Sequence, residues 1–317
     1  MWAYTGEIQV DNEPPAVVHT TVLREETIAA IEPRAGGVYV DATLGMGGHT
    51  EALLQAAPGA IVIGIDRDPW AIAAASSRLA SFGERMHLVR GGFGDLVSLV
   101  RELGFERVDG VIADLGISSA QLSDGARGMS FRLEGPLDMR MDPDQGETAL
   151  DLIRELDQEE LANVLYRFGE ERRSRRVARC IKLALQDGRM NTTLDLRKAV
   201  VRAVGPARVG GVDPATRTFQ ALRIAVNHEL EQLEQLADGA HELLVPSGVL
   251  AAISFHSLED RILKRAMSDK TRWERLTKKP VVPGPKELAL NPRARSAKLR
   301  AARAIDDSAR RHLEVLS

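Results

Sequence analysis

The chain has 317 residues, 44 % hydrophobic and 27 % charged, which is ordinary for a soluble globular protein of one large domain or a domain with an insertion. Its single cysteine, Cys180, excludes an intrachain disulfide and a cysteine-based zinc cluster, and no apolar run approaches the ~20 residues of a membrane helix. The net charge of −3 is uneven: from Arg261 onwards 16 Lys or Arg stand against 6 Asp or Glu, so this segment either meets a polyanion or neutralises an acidic body.

Residues 1–18, with Pro14-Pro15, read as a loosely held arm without a signal-peptide pattern, so the expected location is the cytoplasm. Arg24 to Ile31 predicts a short helix. Val38 to Val40 predicts a strand closed by Asp41, followed by a turn holding Gly45, Gly47 and Gly48, then a helix through Leu53 and Leu54. A second strand, Ile61 to Ile65, closes on Asp66, and Pro69 opens the next helix. Met86 to Val89 and Val108 to Ala113 predict two more strands, the latter ending at Asp114, with a helix through Leu96, Leu99, Val100 and Leu103 between them. Strand–helix units in series predict a mostly parallel sheet.

Residues 115–147 show no periodicity and no helix clearly following Asp114. From Ala149 to Val204 only helical signals occur, on faces such as Leu161, Val164, Leu165 and Phe168, which predicts an insertion of three or four helices. Phe219, Leu222, Val226, Leu230 and Leu233 predict one long helix, and Val249 to Phe255 a buried strand. The prolines of Lys278 to Arg293 predict an extended connector before a last strand over Lys298 to Ile305.

In a doubly wound sheet, ligands bind at strand ends. Asp41, Asp66, Phe93 and Asp114 all lie there, and Asp66 suits the ribose hydroxyls of a nucleoside cofactor. The turn Asp41-Ala-Thr-Leu-Gly45-Met-Gly47-Gly48-His49 is not GxGxxG. It leans towards S-adenosylmethionine, which brings positive charge, over a dinucleotide, which brings a pyrophosphate. Phe93 is either an adenine-stacking ring or core. Asp114 faces whatever enters beside the cofactor, or caps a helix. His256, in Ser254-Phe255-His256-Ser257, is a substrate contact or a cap. Arg172, Arg175, Arg176 and Arg179 form a basic stripe opposite Val177, Ile181 and Ala184, suited to RNA backbone or to solvent. No HxxxH or CxxC pairing is present, so no catalytic metal is expected.

Successive blocks then carry a resemblance. HTTVL (19–23), DATLGMGGHT (41–50), GIDRDP (64–69), DLGISSAQL (114–122), GPLDMRMD, YRFGEER, PATRTFQALRIAVN, ISFHSLEDR and NPRARSAKLR occur in order. Over residues 19–304 the chain strongly resembles the bacterial 16S ribosomal RNA cytosine-N4 methyltransferases. The resemblance implies an α/β, Rossmann-like S-adenosylmethionine methyltransferase sheet over 19–147 and 206–317, with an inserted all-helical domain over 148–205. It implies transfer of a methyl group to the exocyclic N4 of one cytidine in the decoding region, with 16S ribosomal RNA, within the small subunit, as partner. Gly47, Gly48, His49, Asp66, Phe93, Asp114 and Gln121 match the family's cofactor positions. Asp114 is the first candidate for the polar group near the target amine and His256 the second. The fourth strand ends in DLGISS where many amino-group methyltransferases carry an NPPY-like tetrad. A DNA amino-methyltransferase shares this chemistry. A ribosome-assembly factor that binds RNA without turnover is the alternative from another class, against which Asp66 and Asp114 argue.

Overall fold

A computed structural model describes residues 21–206 and 213–306; the arm expected over 1–18 lies outside the described residues, as do His19 and Thr20 of the first block and the chain beyond Asp306. Helix α1 (Arg24–Ile31) leads into β1 (Val38–Asp41), and helices then alternate with strands through α2 (Gly48–Ala56), β2 (Ile61–Asp66), α3 (Pro69–Leu79), β3 (Met86–Arg90), α4 (Leu96–Glu102) and β4 (Val108–Asp114). The four strands lie where the apolar runs predict them. In β2 the reason is clear: Val62, Ile63 and Ile65 are all buried, as a parallel strand covered on both faces requires. Helix α3 begins where the Asp68 carboxylate accepts from the Trp70 N–H at 3.0 Å, with Pro69 in the first turn.

After β4 the chain leaves the sheet. It forms α5 (Ser119–Ser123) and then the helical segment α6 (Ala149–Glu155), α7 (Gln158–Gly169), α8 (Ser174–Gln186) and α9 (Thr193–Val204). Capping boxes start several of these: Thr148 with Asp151, Asp157 with Glu160, and Thr192 with Asp195. The core they enclose also takes in residues outside 148–205, namely Leu137 and Met139 of the preceding loop and Ala215, Phe219 and Leu222 of α10 (Thr216–Asn227). Helix α11 (Glu229–Leu243) returns the chain to the sheet. There β5 (Leu244–Ser254), α12 (Ser257–Ala266), β6 (Trp273–Arg275), α13 (Pro285–Leu290) and β7 (Lys298–Ala304) follow.

The described strands make one sheet of order β3-β2-β1-β4-β5-β7-β6. Strands β3 to β5 are parallel, while β7 runs antiparallel to both β5 and β6. Because the order reverses between β1 and β4, a crevice opens over the carboxyl ends of these strands. This is the Rossmann-like α/β arrangement.

Three expectations are corrected, and one strand is added. The stretch from Phe219 to Leu233 is two helices, broken at His228 in the left-handed region (φ 51°). There the Asn227 carbonyl accepts from the Arg67 guanidinium (3.2 Å) and the Gln232 amide (2.8 Å), and no helix ladder runs through the break. The proline-rich connector is not extended throughout, because Pro285 and Pro292 each open a helical turn, where a missing N–H costs nothing. A helix does follow Asp114, but its cap is Ser118, which accepts from the Gln121 N–H. Edge strand β6 is three residues long, too short to show a pattern.

Candidate active site

Over the carboxyl ends of β1, β2 and β4 lies a cavity of about 440 Å³, within the range of small-molecule sites. One side is made by the glycine turn, Asp66, Phe93, Asp114 and Gln121. The other is made by Phe131, Thr216, Phe219, Arg223, Phe255 and His256. Phe131 and Phe219 meet edge to face, 5.6 Å between centroids, so the second side presents aromatic surface from two distant segments.

The first side is built on carboxylates. Asp66 accepts from the Gly45 N–H (2.8 Å) and the Asp68 N–H (2.9 Å), and burial pushes its carboxyl up to about 6. Asp41 is buried beneath the turn and is not on the cavity wall. It accepts from the Thr50 hydroxyl at 2.7 Å, and burial raises its carboxyl above the usual range. Its role is therefore to hold the turn from behind. Asp114 is tied down by its own N–H, which donates to the Thr43 hydroxyl at 2.6 Å. Its Oδ2 lies 3.5 Å from His49 Nε2, and its Oδ1, though buried, has no hydrogen-bond partner among the described residues. His49 is 4 % exposed, and neither ring nitrogen makes a hydrogen bond among the described residues.

Gly48 and His49 line the cavity, with Gly48 so close to Thr21 that an added Cβ would lie 1.9 Å from its Oγ1. Gly47 does not line it. It turns the chain into α2 at φ 76°, and its open face packs on Leu79 and Ala75. Gln121 lines the cavity but spends both ends of its amide on the protein. Its carbonyl accepts from the Ser118 N–H at 3.0 Å, and its NH₂ donates to Asp68 at 2.8 Å. His256 also lines the cavity while capping α12, its Nδ1 accepting from the Glu259 N–H at 3.4 Å. Its Nε2 sits 3.1 Å from Glu259 Oε1.

Several residues that the strand-end reading does not single out also shape the site. Buried Asp68 accepts from Gln121 and from Arg127 (2.8 Å), and Arg127 also donates to the Met141 carbonyl at 2.7 Å. The long loop is thereby stapled to the turn after β2. Asn227 continues the staple, accepting from the Met141 N–H at 2.7 Å and donating to the Met139 carbonyl at 2.8 Å. Arg223 pairs with Glu229 at 2.8 and 2.9 Å; against the pull of burial, that carboxylate holds the guanidinium charged. Burial works against the Glu259 charge as well, yet His256 and the Phe255 N–H keep its carboxyl below the usual range. Glu229, His256 and Glu259 approach closely enough to share a cation, but Arg223 already occupies the first and backbone N–H groups the last.

The basic elements divide. On α8, Arg175 pairs with Glu159, whereas Arg176 and Arg179 are exposed without an acidic partner among the described residues. In the C-terminal segment Arg265 pairs with Glu234, Arg272 with Asp238 and Arg303 with Glu32, while Lys298 and Arg300 share Asp260. Much of its charge does neutralise the body. Lys278, Lys279, Lys286, Arg293 and Arg295 have no such partner among the described residues.

Residues 16–305 match the MraW methylase family. The chain belongs to that family. It is 63 % identical over 292 residues to the ribosomal RNA small subunit methyltransferase H of Sorangium cellulosum, covering 92 % of each chain. Its counterpart of the same name in Cyanothece sp. is 48 % identical, covering 92 % of this chain and 96 % of that one. Among solved structures, an rRNA methylase from Streptococcus thermophilus covers 89 % of this chain and 94 % of its own, at 12 % identity and a TM-score of 0.42. The family's methyl donor is S-adenosylmethionine, and the cavity suits it. The strand-end side offers carboxylates and polar atoms of His49 and Asp114 without partners among the described residues, and its Arg67 is already bonded to Asn227 and Gln232. No described helix is long and apolar enough to cross a membrane.

Proposed function

We propose that this protein methylates ribosomal RNA of the small subunit, at the exocyclic N4 of a cytidine in the decoding region. The observation that carries the reading is Asp114, whose buried Oδ1 has no hydrogen-bond partner among the described residues, in a cavity that Phe131, Phe219 and Phe255 also line. When bound, S-adenosylmethionine supplies an electrophilic methyl group. Asp66 would hold its ribose, and the glycine turn and Phe93 would flank it. The cytosine amine is a poor nucleophile because its lone pair is delocalised into the ring. Asp114 accepts its hydrogen bond and orients it, and such positioning supplies much of the acceleration. Phe131, Phe219 and Phe255 offer stacking surface to a base that has left its helix. Phe131 and Phe219 pack on the core of the helical insertion over 148–205, which itself sends no residue to the cavity wall. Cys180 lies on α8, away from the cavity wall, so the wall offers no thiol for attack on the cytosine ring.

The names of the relatives favour small-subunit RNA. Tritium transfer from labelled cofactor to small subunits, free 16S RNA and DNA tests this, with mass spectrometry of the digested product. N4-methylcytidine in small-subunit RNA is expected; 5-methylcytidine, or transfer to DNA alone, would overturn the reading.

A further inference from the structure

We propose that Arg293 grips the backbone phosphate of the nucleotide whose base enters the cavity, an inference that rests on the RNA reading above. Three arginines line the cavity. Arg67 is bonded to the Asn227 carbonyl and Gln232, and Arg223 makes a two-pronged pair with Glu229. Arg293 is exposed and has no acceptor among the described residues. Its backbone is nevertheless held firmly. It sits in the single helical turn Pro292–Ser296, anchored by Ala294 and Ala297, both at most 1 % exposed in the core under the sheet. The turn feeds β7, whose Lys298 pairs with Ser254, so it stands beside Phe255 and His256 on the substrate side. Glu287 of the preceding helix binds it back to the body by accepting from the Leu23 N–H at 2.8 Å.

A fixed base, a long unpaired cation and a position at the wall of an aromatic pocket together call for an anion that arrives with a base. In a polynucleotide that anion is the phosphodiester. Phosphate contacts set register without reading sequence, so Arg293 would seat the target nucleotide and leave base choice to the pocket. The competing anion is the carboxylate of the cofactor, and cofactor affinity separates the two.

The experiment measures cofactor Kd, and kcat and KM for small-subunit methylation across a salt series, for wild type, Arg293→Ala, Arg293→Lys and Arg295→Ala. Losing one single-strand phosphate contact should flatten the slope of log(kcat/KM) against log salt by about 0.7, which at 0.15 M salt corresponds to a loss of about fourfold. Arg293→Ala is expected to show this with cofactor Kd unchanged, and with kcat lowered too because the base is seated less often. Arg293→Lys should restore the slope. Arg295→Ala, exposed and off the cavity wall, should leave kcat alone. An unchanged slope, a weakened cofactor Kd, or an Arg293→Ala enzyme that alters KM only, would overturn the clamp while leaving methylation intact. A wild type that binds cofactor yet methylates no RNA would instead overturn the function proposed above, and the clamp with it.

Discussion

Asp66→Asn removes a carboxyl whose ionisation the fold opposes. Burial, the largest influence, moves it from an ordinary 3.8 to about 6, against the Asp68 and Gly45 N–H groups that favour the charge. The folded value is raised, so the native state binds this proton more tightly than the unfolded chain. The resulting stability is full below about pH 3.8 and is lost as pH rises through about 6. Roughly two units at about 1.4 kcal/mol each set a ceiling of about 3 kcal/mol, because the carboxylate still borders the cavity. About 1.4 kcal/mol of that falls between pH 5 and 8. Asparagine cannot ionise, so the stability of the variant minus that of wild type should rise by about 1 kcal/mol over this interval. Any fixed cost of turning an amide towards Gly45 or Asp68 cancels in that difference. Urea unfolding of the cofactor-free proteins at several pH values reads it directly. On the proposed ribose assignment the ionised carboxylate is the accepting form, so at pH 7.5 the variant should bind S-adenosylmethionine about 1–3 kcal/mol more weakly by calorimetry. A difference in stability that is flat with pH, together with unaltered cofactor affinity, would refute both the burial argument and the ribose assignment.

If Asp114 holds the target amine as proposed, Asp114→Ala should lower kcat about 100-fold or more while the protein still folds; single-turnover methyl transfer checks it. Cys180→Ser should keep its activity, and a folded, cofactor-binding but dead variant would contradict a direct transfer to N4. Arg127→Met leaves buried Asp68 without its cation and should destabilise by about 3 kcal/mol in chemical denaturation. Reversing Arg175 and Arg176 to Glu should weaken RNA binding and flatten its salt dependence with cofactor affinity intact. An unchanged salt slope would return α8 to a merely solvated face.

Much of the sheet is legible in the chain itself. Runs such as Ile61 to Ile65 and Val111 to Ala113 are apolar over consecutive residues, and Pro69 marks a helix start. These signals are local, acting between groups a few residues apart, and they place Asp66, Phe93 and Asp114 at strand ends before any packing is known. What tertiary structure alone decides is where side chains spend their hydrogen bonds. Asp41 and Asp66 both close strands, yet one is sealed beneath the turn by Thr50 and the other borders the cavity. Gln121 gives its amide to Asp68, 53 residues away, and His256 gives Nδ1 to a helix cap. The break at His228 follows from Asn227 joining Met139 and Met141, more than 80 residues distant, which no helical period encodes. The same holds for charge: among arginines that look alike in sequence, Arg223 is consumed by buried Glu229 and Arg300 by half-buried Asp260, while Arg293 pairs with neither. Burial makes an unpaired charge or donor costly, so the fold assigns partners first, and what it leaves unpaired at the cavity is what a ligand can use.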